Sequence, residues 1–231
     1  MPMVPEILYE DNHLVAVNKR CGDITQGDKT GDTPLGDSVK SFIKEKYNKP
    51  GNVFLGLIHR LDRPTSGIIL FARTSKALAR MNDMFKMEGL VQKTYWAVVD
   101  NKPDAETATL EHWLVRDEKQ NKSFASLTGK PGAKHCSLTY RYKASSDRFH
   151  LLEIQLHTGR QHQIRAQLAA INLHIKGDLK YGFPRSNPDA GIHLHSRKIC
   201  FTHPVTKAMI TLTANPPSDP VWDYFVSTVK D

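Results

Sequence analysis

Segments that favour β-strands outnumber segments with helical periodicity in this chain, and this balance is the strongest constraint on its fold. Two short strands are expected within residues 7–18, around a turn at residues 10–13. Runs of β-branched and aromatic residues predict further strands at residues 95–99, 134–144, 150–156, 193–201 and 208–213. Because few helices interrupt this series, we predict an α+β fold with a mostly antiparallel or mixed β-sheet core and flanking helices.

Four stretches carry the signals of α-helices. In the first, we expect Thr33 to cap the helix and Pro34 to occupy the first helical position, where a missing N–H costs nothing. In the second, Thr74 or Ser75 is the expected cap. The first, third and fourth predicted helices begin at Pro34, Gln161 and Pro220, and they end before Lys49, at Ala170 and at Lys230. The second begins directly after its cap and has Gly89 as its terminator.

The composition indicates one domain that binds a polyanion. The 231 residues, of which 39% are hydrophobic, are enough for a core, and no linker or repeat divides them, so we predict a single domain over residues 1–231. Lys and Arg number 32 against 24 Asp and Glu, which gives a net charge of +8. We therefore expect a nucleic acid as partner, ahead of an acidic lipid surface.

The cysteines and the N-terminus indicate a cytoplasmic protein. Cys21, Cys136 and Cys200 are odd in number and widely spaced, which argues against a disulfide framework and against a Cys-x-x-Cys zinc site. The chain opens without signal-peptide features, and no run approaches the roughly 20 apolar residues of a membrane span. We expect a soluble protein with no membrane association.

Two motifs carry most of the functional information. Residues 59–67 read His-Arg-Leu-Asp-Arg-Pro-Thr-Ser-Gly, which places Asp62 between Arg60 and Arg63. By itself, such an aspartate more often caps a turn or forms a structural ion pair. Residues 156–165 read Leu-His-Thr-Gly-Arg-Gln-His-Gln-Ile-Arg, a dense polar pattern for a surface helix.

Together, the two motifs closely resemble the signature of the RluA-type pseudouridine synthases, which isomerise uridine within RNA. The agreement extends over the 14 residues from His59 to Ala72, so a purely structural role for Asp62 is much less favoured. Other segments resemble the family at residues 7–19, 177–182, 194–196 and 201–204. Arg20 departs from the family pattern, which commonly has a proline there, and this changes the expected shape of the opening loop.

The resemblance implies a pseudouridine synthase fold with a central active-site cleft and three catalytic residues. Asp62 is implied as the nucleophile or base that cleaves the N-glycosidic bond. Tyr95, in a Lys-x-Tyr-x-Ala motif, is implied to stack on the flipped base and to take part in proton transfer. Arg165 is implied to pair with Asp62, and Arg60 to fill the space that the flipped nucleotide leaves.

The family also implies the partner and the means of binding it. Besides Arg60, the residues expected to contact RNA are His59, Arg63, Lys93, Arg160 and His162. Family members with an additional N-terminal RNA-binding domain carry it before the opening segment, which starts here at about residue 6. We therefore expect a monomeric catalytic domain that recognises a compact stem-loop of tRNA, of large-subunit rRNA, or of both. No metal, cofactor or small-molecule partner is expected.

Two other classes of protein are alternatives to an RNA-modifying enzyme. A metal-dependent hydrolase is suggested by 11 histidines and by His193 and His195, whose spacing places both rings on one face of a strand. No acidic residue follows closely, which weighs against a metal site. The second alternative is a catalytically silent module that binds RNA or assists ribosome assembly.

Overall fold

The computed structural model describes residues 4–27 and 31–229, which form two compact units. Unit 1 contains the chain up to Val91 together with Ser196–Asn215, and unit 2 contains Gln92–His195 and the chain from Pro216 onward. The strands are β1 (Glu6–Glu10), β2 (Leu14–Lys19), β3 (Gly56–Leu57), β4 (Ser66–Ala72), β5 (Val91–Val99), β6 (Thr107–Asp117), β7 (Lys122–Ser126), β8 (Lys134–Ser145), β9 (His150–Leu156), β10 (Leu194–Thr202) and β11 (Met209–Thr213). The helices are α1 (Leu35–Lys46), α2 (Ser75–Lys86), α3 (Gln163–Ala169) and α4 (Pro220–Thr228), with a 3-10 turn at Leu179–Tyr181. The predicted α+β class is confirmed.

Unit 1 is built around β4, whose seven residues are all buried. Its neighbours in the sheet are β2 and β10; β1 lies beyond β2, β11 pairs with β10, and the short β3 pairs with β4. Ile68 and Leu70 face the apolar side of α2, whereas Ile69 and Phe71 face α1. The segment from Ile68 to Ala72 is continuously apolar because helices cover both faces of β4.

Unit 2 is an antiparallel sheet in the order β5-β9-β8-β6-β7. Trp222 and Phe225 of α4 pack on Trp96 of β5 and Leu151 of β9. Helix α3 places Ala166 in a second cluster, together with side chains of β6, β8 and the 3-10 turn. The helices therefore cover the sheet as flanking elements, as predicted.

Several predicted boundaries are wrong by one to four residues, the largest error being at β5, which was predicted to start at Tyr95 and starts at Val91. Pro34, with φ −61° and ψ 143°, is the N-cap of α1, so Leu35 and not Pro34 is the first helical residue, and Thr33 is not the cap. The extended backbone of Pro34 allows the Leu35 amide to bond to the carbonyl of Ile24 instead. Helix α3 begins at Gln163 instead of Gln161, because the N-cap His162 has a left-handed backbone with φ 54°.

The hairpin of β6 and β7 is absent from the predicted strands. Its inward residues, among them His112 and Leu114, are buried, whereas their neighbours are exposed or half-buried. This alternation was the signal in the sequence, but His112 on the inner face and Trp113 and Val115 on the outer face obscured it. Helix α4 begins at Pro220 as predicted, and the predicted end at Lys230 lies outside the described residues.

Two further findings concern the whole described chain. Cys21, Cys136 and Cys200 are all free thiols, as expected. Within residues 4–27 and 31–229, no helix combines the length and apolar character needed to cross a bilayer.

Candidate active site

Asp62 lies in the loop of unit 1 that joins β3 to β4. The backbone N–H of Thr65 donates to the carbonyl of Asp62 over 3.0 Å, which closes a turn directly before the buried strand. Asp62 itself is half-buried, whereas Thr65 and Ser66 are buried. The loop therefore holds the carboxylate at the end of a rigid strand.

Lys19, at the end of β2, holds this loop from within. The side chain is buried, and its Nζ donates to the carbonyl oxygens of Arg20, Arg63 and Thr65 at 2.9, 3.0 and 2.7 Å. Burial lowers the pKa of Lys19 to about 8, against the opposing effect of acidic neighbours that include Asp62. Three carbonyls satisfy the three ammonium donors, so this cation shapes the backbone on both sides of Asp62.

Gly67 brings the start of β4 close to β10. Its φ is +112°, and a Cβ at this position would lie 2.4 Å from the carbonyl oxygen of Ser196. Neither the backbone angle nor the space suits another residue. Glycine at the end of the first motif is thus required by packing within unit 1.

The basic residues around Asp62 differ in their surroundings. Arg60 is exposed and reaches Gln26 only over 3.4 Å, and the exposed Arg63 pairs with Asp32 at 2.6 Å. His59 is half-buried: its Nε2 accepts the backbone N–H of Leu70 over 3.1 Å, and its ring stacks on that of Phe85.

His59 therefore has a structural role in unit 1. RNA contact by His59, Arg60 and Arg63 stays a prediction.

Tyr95 lies on β5 in unit 2, where it pairs with Ile154 of β9. Its side chain is buried. Lys93 lies two residues earlier and therefore on the same face of the strand. Burial lowers the pKa of Lys93. The strand thus presents a phenol and a partly desolvated ammonium side by side.

Arg165 is buried in unit 2 and is not a surface cation. It is the third residue of α3, and only 5% of its side chain is exposed. Its Nε and Nη2 donate to the two carboxylate oxygens of Asp178 at 2.7 and 2.8 Å. The carboxylate that this arginine binds within its own unit is therefore Asp178, while its predicted pairing with Asp62 stays a prediction.

Tyr181 covers one face of the same guanidinium. The Cζ atom of Arg165 lies 4.9 Å from the centre of the Tyr181 ring. The Tyr181 hydroxyl donates to the carbonyl of Ser123 over 3.0 Å and accepts the N–H of Ser123 over 2.9 Å. Since its one proton is used, the 3.0 Å contact with His162 has the Nδ1–H of His162 as donor.

His162 is accordingly an interior residue of unit 2, 8% exposed. Arg160 is exposed, and its Nε donates to the carbonyl of His135 over 3.3 Å. The Oε1 of Gln163 accepts the N–H of Arg160 over 3.0 Å, which fixes the turn before α3. RNA contact by Arg160, His162 and Lys93 remains a prediction, and the burial of His162 favours a structural role for its ring.

The predicted site residues thus form two groups. Asp62 and its basic neighbours lie in unit 1, and Tyr95, Lys93 and Arg165 lie in unit 2. Sequence reasoning missed two contributors: Lys19 as the support of the Asp62 loop, and Asp178 with Tyr181 as the support of Arg165. The only signal in the sequence for Asp178 and Tyr181 was their occurrence in the segment at residues 177–182, which resembles the family.

The paired histidines have interior roles. His193 contacts Asp219 at 3.1 Å and stacks on Trp222, which His195 also meets edge to face. Among the residues that the structure describes, no group of three or more His, Cys, Asp or Glu side chains could hold a metal ion. The geometry gives the hydrolase alternative no support.

Comparisons with known proteins agree with the motifs. The family model described as RNA pseudouridylate synthase matches residues 13–170. The chain is 31% identical over 229 residues to tRNA pseudouridine synthase C of Haemophilus influenzae, covering 90% of this chain and 92% of that protein. It is 31% identical over 212 residues to ribosomal large subunit pseudouridine synthase C of Rickettsia felis, covering 91% and 67%.

A solved structure shows the same fold. Human RNA pseudouridylate synthase domain containing 4 aligns with a TM-score of 0.78 at 23% identity, covering 95% of this chain and 92% of that one. The match to the family model spans Asp62, Tyr95 and Arg165. The chain therefore belongs to the RNA pseudouridylate synthase family, whose members are isomerases of uridine in RNA.

Proposed function

We propose that Asp62, Tyr95 and Arg165 carry the isomerisation, and that the substrate is a uridine in a compact RNA stem-loop. The observation that supports the catalytic set most strongly is that one family match, over residues 13–170, contains all three residues. The two motifs that carry Asp62 and Arg165 are specific, whereas a tyrosine in a strand is common. Tyr95 therefore depends more on the resemblance than the other two.

The reaction needs no co-reactant. The target uridine leaves its stack and enters the site, where Tyr95 stacks on the base. The bond from N1 to the ribose C1′ breaks, the uracil turns, and C5 forms a new bond to the same C1′. The proton on C5 is lost and N1 gains one, so the product is an isomer of the substrate.

Asp62 can assist in either of two ways. The transition state for glycosidic cleavage carries positive charge at C1′, which a carboxylate stabilises by attack or by its field. Alternatively, Asp62 removes a proton from the ribose. Both routes need a rigidly held carboxylate, which agrees with the turn at Thr65 and with the hydrogen bond from Lys19 Nζ to the Thr65 carbonyl.

Arg165 carries donors that are suited to orienting a carboxylate. Its Nε and Nη2 donate to Asp178 along one edge of the guanidinium. The other edge, formed by Nη1 and Nη2, presents a second pair of donors suited to a carboxylate. We propose that Asp62 binds there during the reaction.

RNA binding would depend on the exposed cations and on the net charge of +8. Arg60 and Arg63 flank Asp62 in sequence and are both exposed. We propose that they contact the RNA next to the flipped uridine, with Lys93 and Arg160 contributing from unit 2. Relatives named for tRNA and for large-subunit rRNA support either RNA as the source of the stem-loop. We further propose that the enzyme acts as a monomer in the cytoplasm.

The catalytic assignment is tested with RNA that carries tritium on C5 of uridine, because isomerisation releases this hydrogen. Asp62→Asn should release no tritium above background while its RNA affinity stays within about tenfold of wild type, roughly 1.4 kcal/mol. Asp147→Asn changes an exposed carboxylate between β8 and β9 and serves as the matched control, with unchanged activity. Turnover by purified Asp62→Asn would exclude Asp62 as the catalytic carboxylate.

Arg165 is tested by separating turnover from affinity. If it orients Asp62, Arg165→Ala should lose single-turnover rate far more than affinity, and Arg165→Lys should remain impaired because it lacks the two-pronged geometry. A residue that only contacts phosphate would instead lose affinity and lower the salt dependence by about one unit of slope. Binding titrations at several salt concentrations distinguish these outcomes.

Substrate size is tested with RNA fragments of decreasing length. An isolated hairpin that contains the target uridine should react within about tenfold of the full RNA, since unstacked loop bases are the readable part of a folded RNA. Changes in the loop bases next to the uridine should reduce the rate more than changes in the stem. Activity that requires a distant RNA domain would contradict a compact substrate.

The silent-module alternative makes the opposite prediction. A protein that only binds RNA would retain affinity for uridine-containing hairpins but release no tritium from any of them. A hydrolase would lose activity in excess EDTA and recover it with zinc, whereas the isomerase should keep its rate on a hairpin that folds without magnesium.

A further inference from the structure

Asp178 and Arg165 form a buried, bidentate ion pair in unit 2. Asp178 is 1% exposed and Arg165 is 5% exposed, and both oxygens of the carboxylate are used in the bidentate pair. Removing two charges from water costs several kcal/mol, which their attraction only offsets when the geometry is good. Such a pair is therefore weak evidence for a stabilising role and better evidence for a constraint on geometry.

The same short turn supplies both contacts to Arg165. Asp178 and Tyr181 are three residues apart, and the N–H of Tyr181 donates to the carbonyl of Asp178 over 3.1 Å. A second backbone bond, from the N–H of Asp178 to the carbonyl of Ile175 at 2.9 Å, ties the turn to the preceding chain. The carboxylate and the aromatic ring are thus held in one rigid arrangement.

Together these contacts leave the guanidinium little freedom. The bidentate pair with Asp178 fixes rotation within the plane of the guanidinium, because two parallel bonds are made along one edge. The ring of Tyr181, anchored through its hydroxyl to Ser123, limits tilting out of that plane. These two residues therefore constrain the direction in which the Nη1–Nη2 edge points.

We propose that Asp178 is a positioning residue for the isomerisation, which acts by holding Arg165 in the orientation that binds Asp62. This inference rests on the proposed role of Arg165. Asp178 does not touch the RNA or the reacting atoms in this scheme. Its contribution passes entirely through the guanidinium of Arg165. The effect of a substitution at Asp178 should therefore disappear when Arg165 is removed.

The experiment is a double-mutant cycle on single-turnover tritium release and on RNA affinity. Asp178→Asn nearly keeps the shape of the side chain but removes the charge and one acceptor. We expect it to lower the single-turnover rate at saturating RNA by at least tenfold while changing the dissociation constant by less than about threefold. In the Arg165→Ala background, the same substitution should lower the rate by less than about twofold.

Several outcomes would overturn the proposal. A wild-type rate in Asp178→Asn, or an equal loss with and without Arg165, would show that Asp178 does not act through the arginine. Asp178→Glu keeps the charge on a longer side chain and should recover part of the rate. If neither Asp178 variant folds while Arg165→Ala does, the carboxylate is needed for folding independently of Arg165, and the positioning role is rejected.

The controls distinguish a failure of the role proposed for Asp178 from a failure of the role proposed for Arg165. Asp147→Asn should leave rate and affinity unchanged, since this carboxylate is exposed. If Arg165→Ala retains full turnover, the role of Arg165 fails, and the inference about Asp178 fails with it. If Arg165→Ala is inactive but Asp178→Asn is fully active, only the inference about Asp178 fails.

Discussion

Substituting Gly67 by alanine should destabilise unit 1 more than any similar substitution at an exposed glycine. The backbone of Gly67 has φ +112°, and a Cβ there would lie 2.4 Å from the carbonyl oxygen and 2.5 Å from the amide nitrogen of Ser196. Both are backbone atoms of β10, so they cannot rotate away as the end of a side chain would. The clash with Ser196 can be relieved only if β4 and β10 move apart.

The expected cost has three parts. A positive φ costs a residue with a Cβ about 1–2 kcal/mol. Overpacking against a neighbour that cannot yield costs about 1–3 kcal/mol. Alanine gains about 0.5–1 kcal/mol because it restricts the unfolded chain. The net loss is about 3 kcal/mol, which for a chain of this length lowers the melting temperature by roughly 6–12 °C.

Two other glycines separate the parts of this estimate. Gly89 has φ +82°, and a Cβ added there would meet no atom within 4 Å, so Gly89→Ala should show the backbone cost less the gain in the unfolded chain, a net of about 1 kcal/mol or less. Gly51 has neither constraint, and Gly51→Ala should change stability by no more than about 0.5 kcal/mol. Thermal and urea unfolding followed by circular dichroism give all three values. If Gly67→Ala is no less stable than Gly89→Ala, the close approach to Ser196 is not a real constraint.

Three further predictions concern stability. Lys19→Met leaves three carbonyl oxygens without their donor and should lower the free energy of unfolding by about 1–3 kcal/mol; unchanged urea unfolding would contradict this. Thr74→Ala removes the oxygen that accepts the Ala77 N–H and should cost about 1 kcal/mol, whereas Thr74→Ser should cost little. For Asp219, burial alone would raise the pKa, but hydrogen bonds to His193 and to two backbone N–H groups lower it to about 2. The pKa of Asp219 in the folded protein is thus below its ordinary value of 3.8. The ionised carboxylate therefore stabilises the fold above about pH 3.8, by less than about 2 kcal/mol after solvent screening, and this stabilisation is lost as the pH falls toward 2. The stability difference between wild type and Asp219→Asn should therefore shrink below about pH 4, and a constant difference would refute this.

The elements that could be read from the sequence are those that local interactions determine. The predicted strand at His150–Leu156 has the observed bounds, because its run of apolar and β-branched residues ends at turns on both sides. Thr74, one of the two predicted caps, caps α2, since a cap bonds to a backbone amide three residues away. The α+β class follows from the same local patterns, and the motif at residues 59–67 identified the family.

The boundaries that failed depended on contacts beyond the local sequence. The start of α1 shifted because the Leu35 amide bonds to Ile24, eleven residues earlier. The strand β6 escaped prediction because Trp113 and Val115 lie on its outer face and His112 on its inner face, which obscures the alternation of apolar and polar residues. For α1, the decisive partner lies outside the window in which propensity and periodicity act.

The supports of the candidate site were decided by tertiary structure alone. Lys19 reaches carbonyls 44 and 46 residues further along the chain, and Arg165 meets Asp178 and Tyr181 only because α3 and the following turn fold together. Apart from their place in segments that resemble the family, Lys19 and Asp178 are an ordinary cation and an ordinary anion in the sequence. Their burial makes them specific, since a charge removed from water must find partners of defined geometry, and only the path of the chain determines which partners it meets.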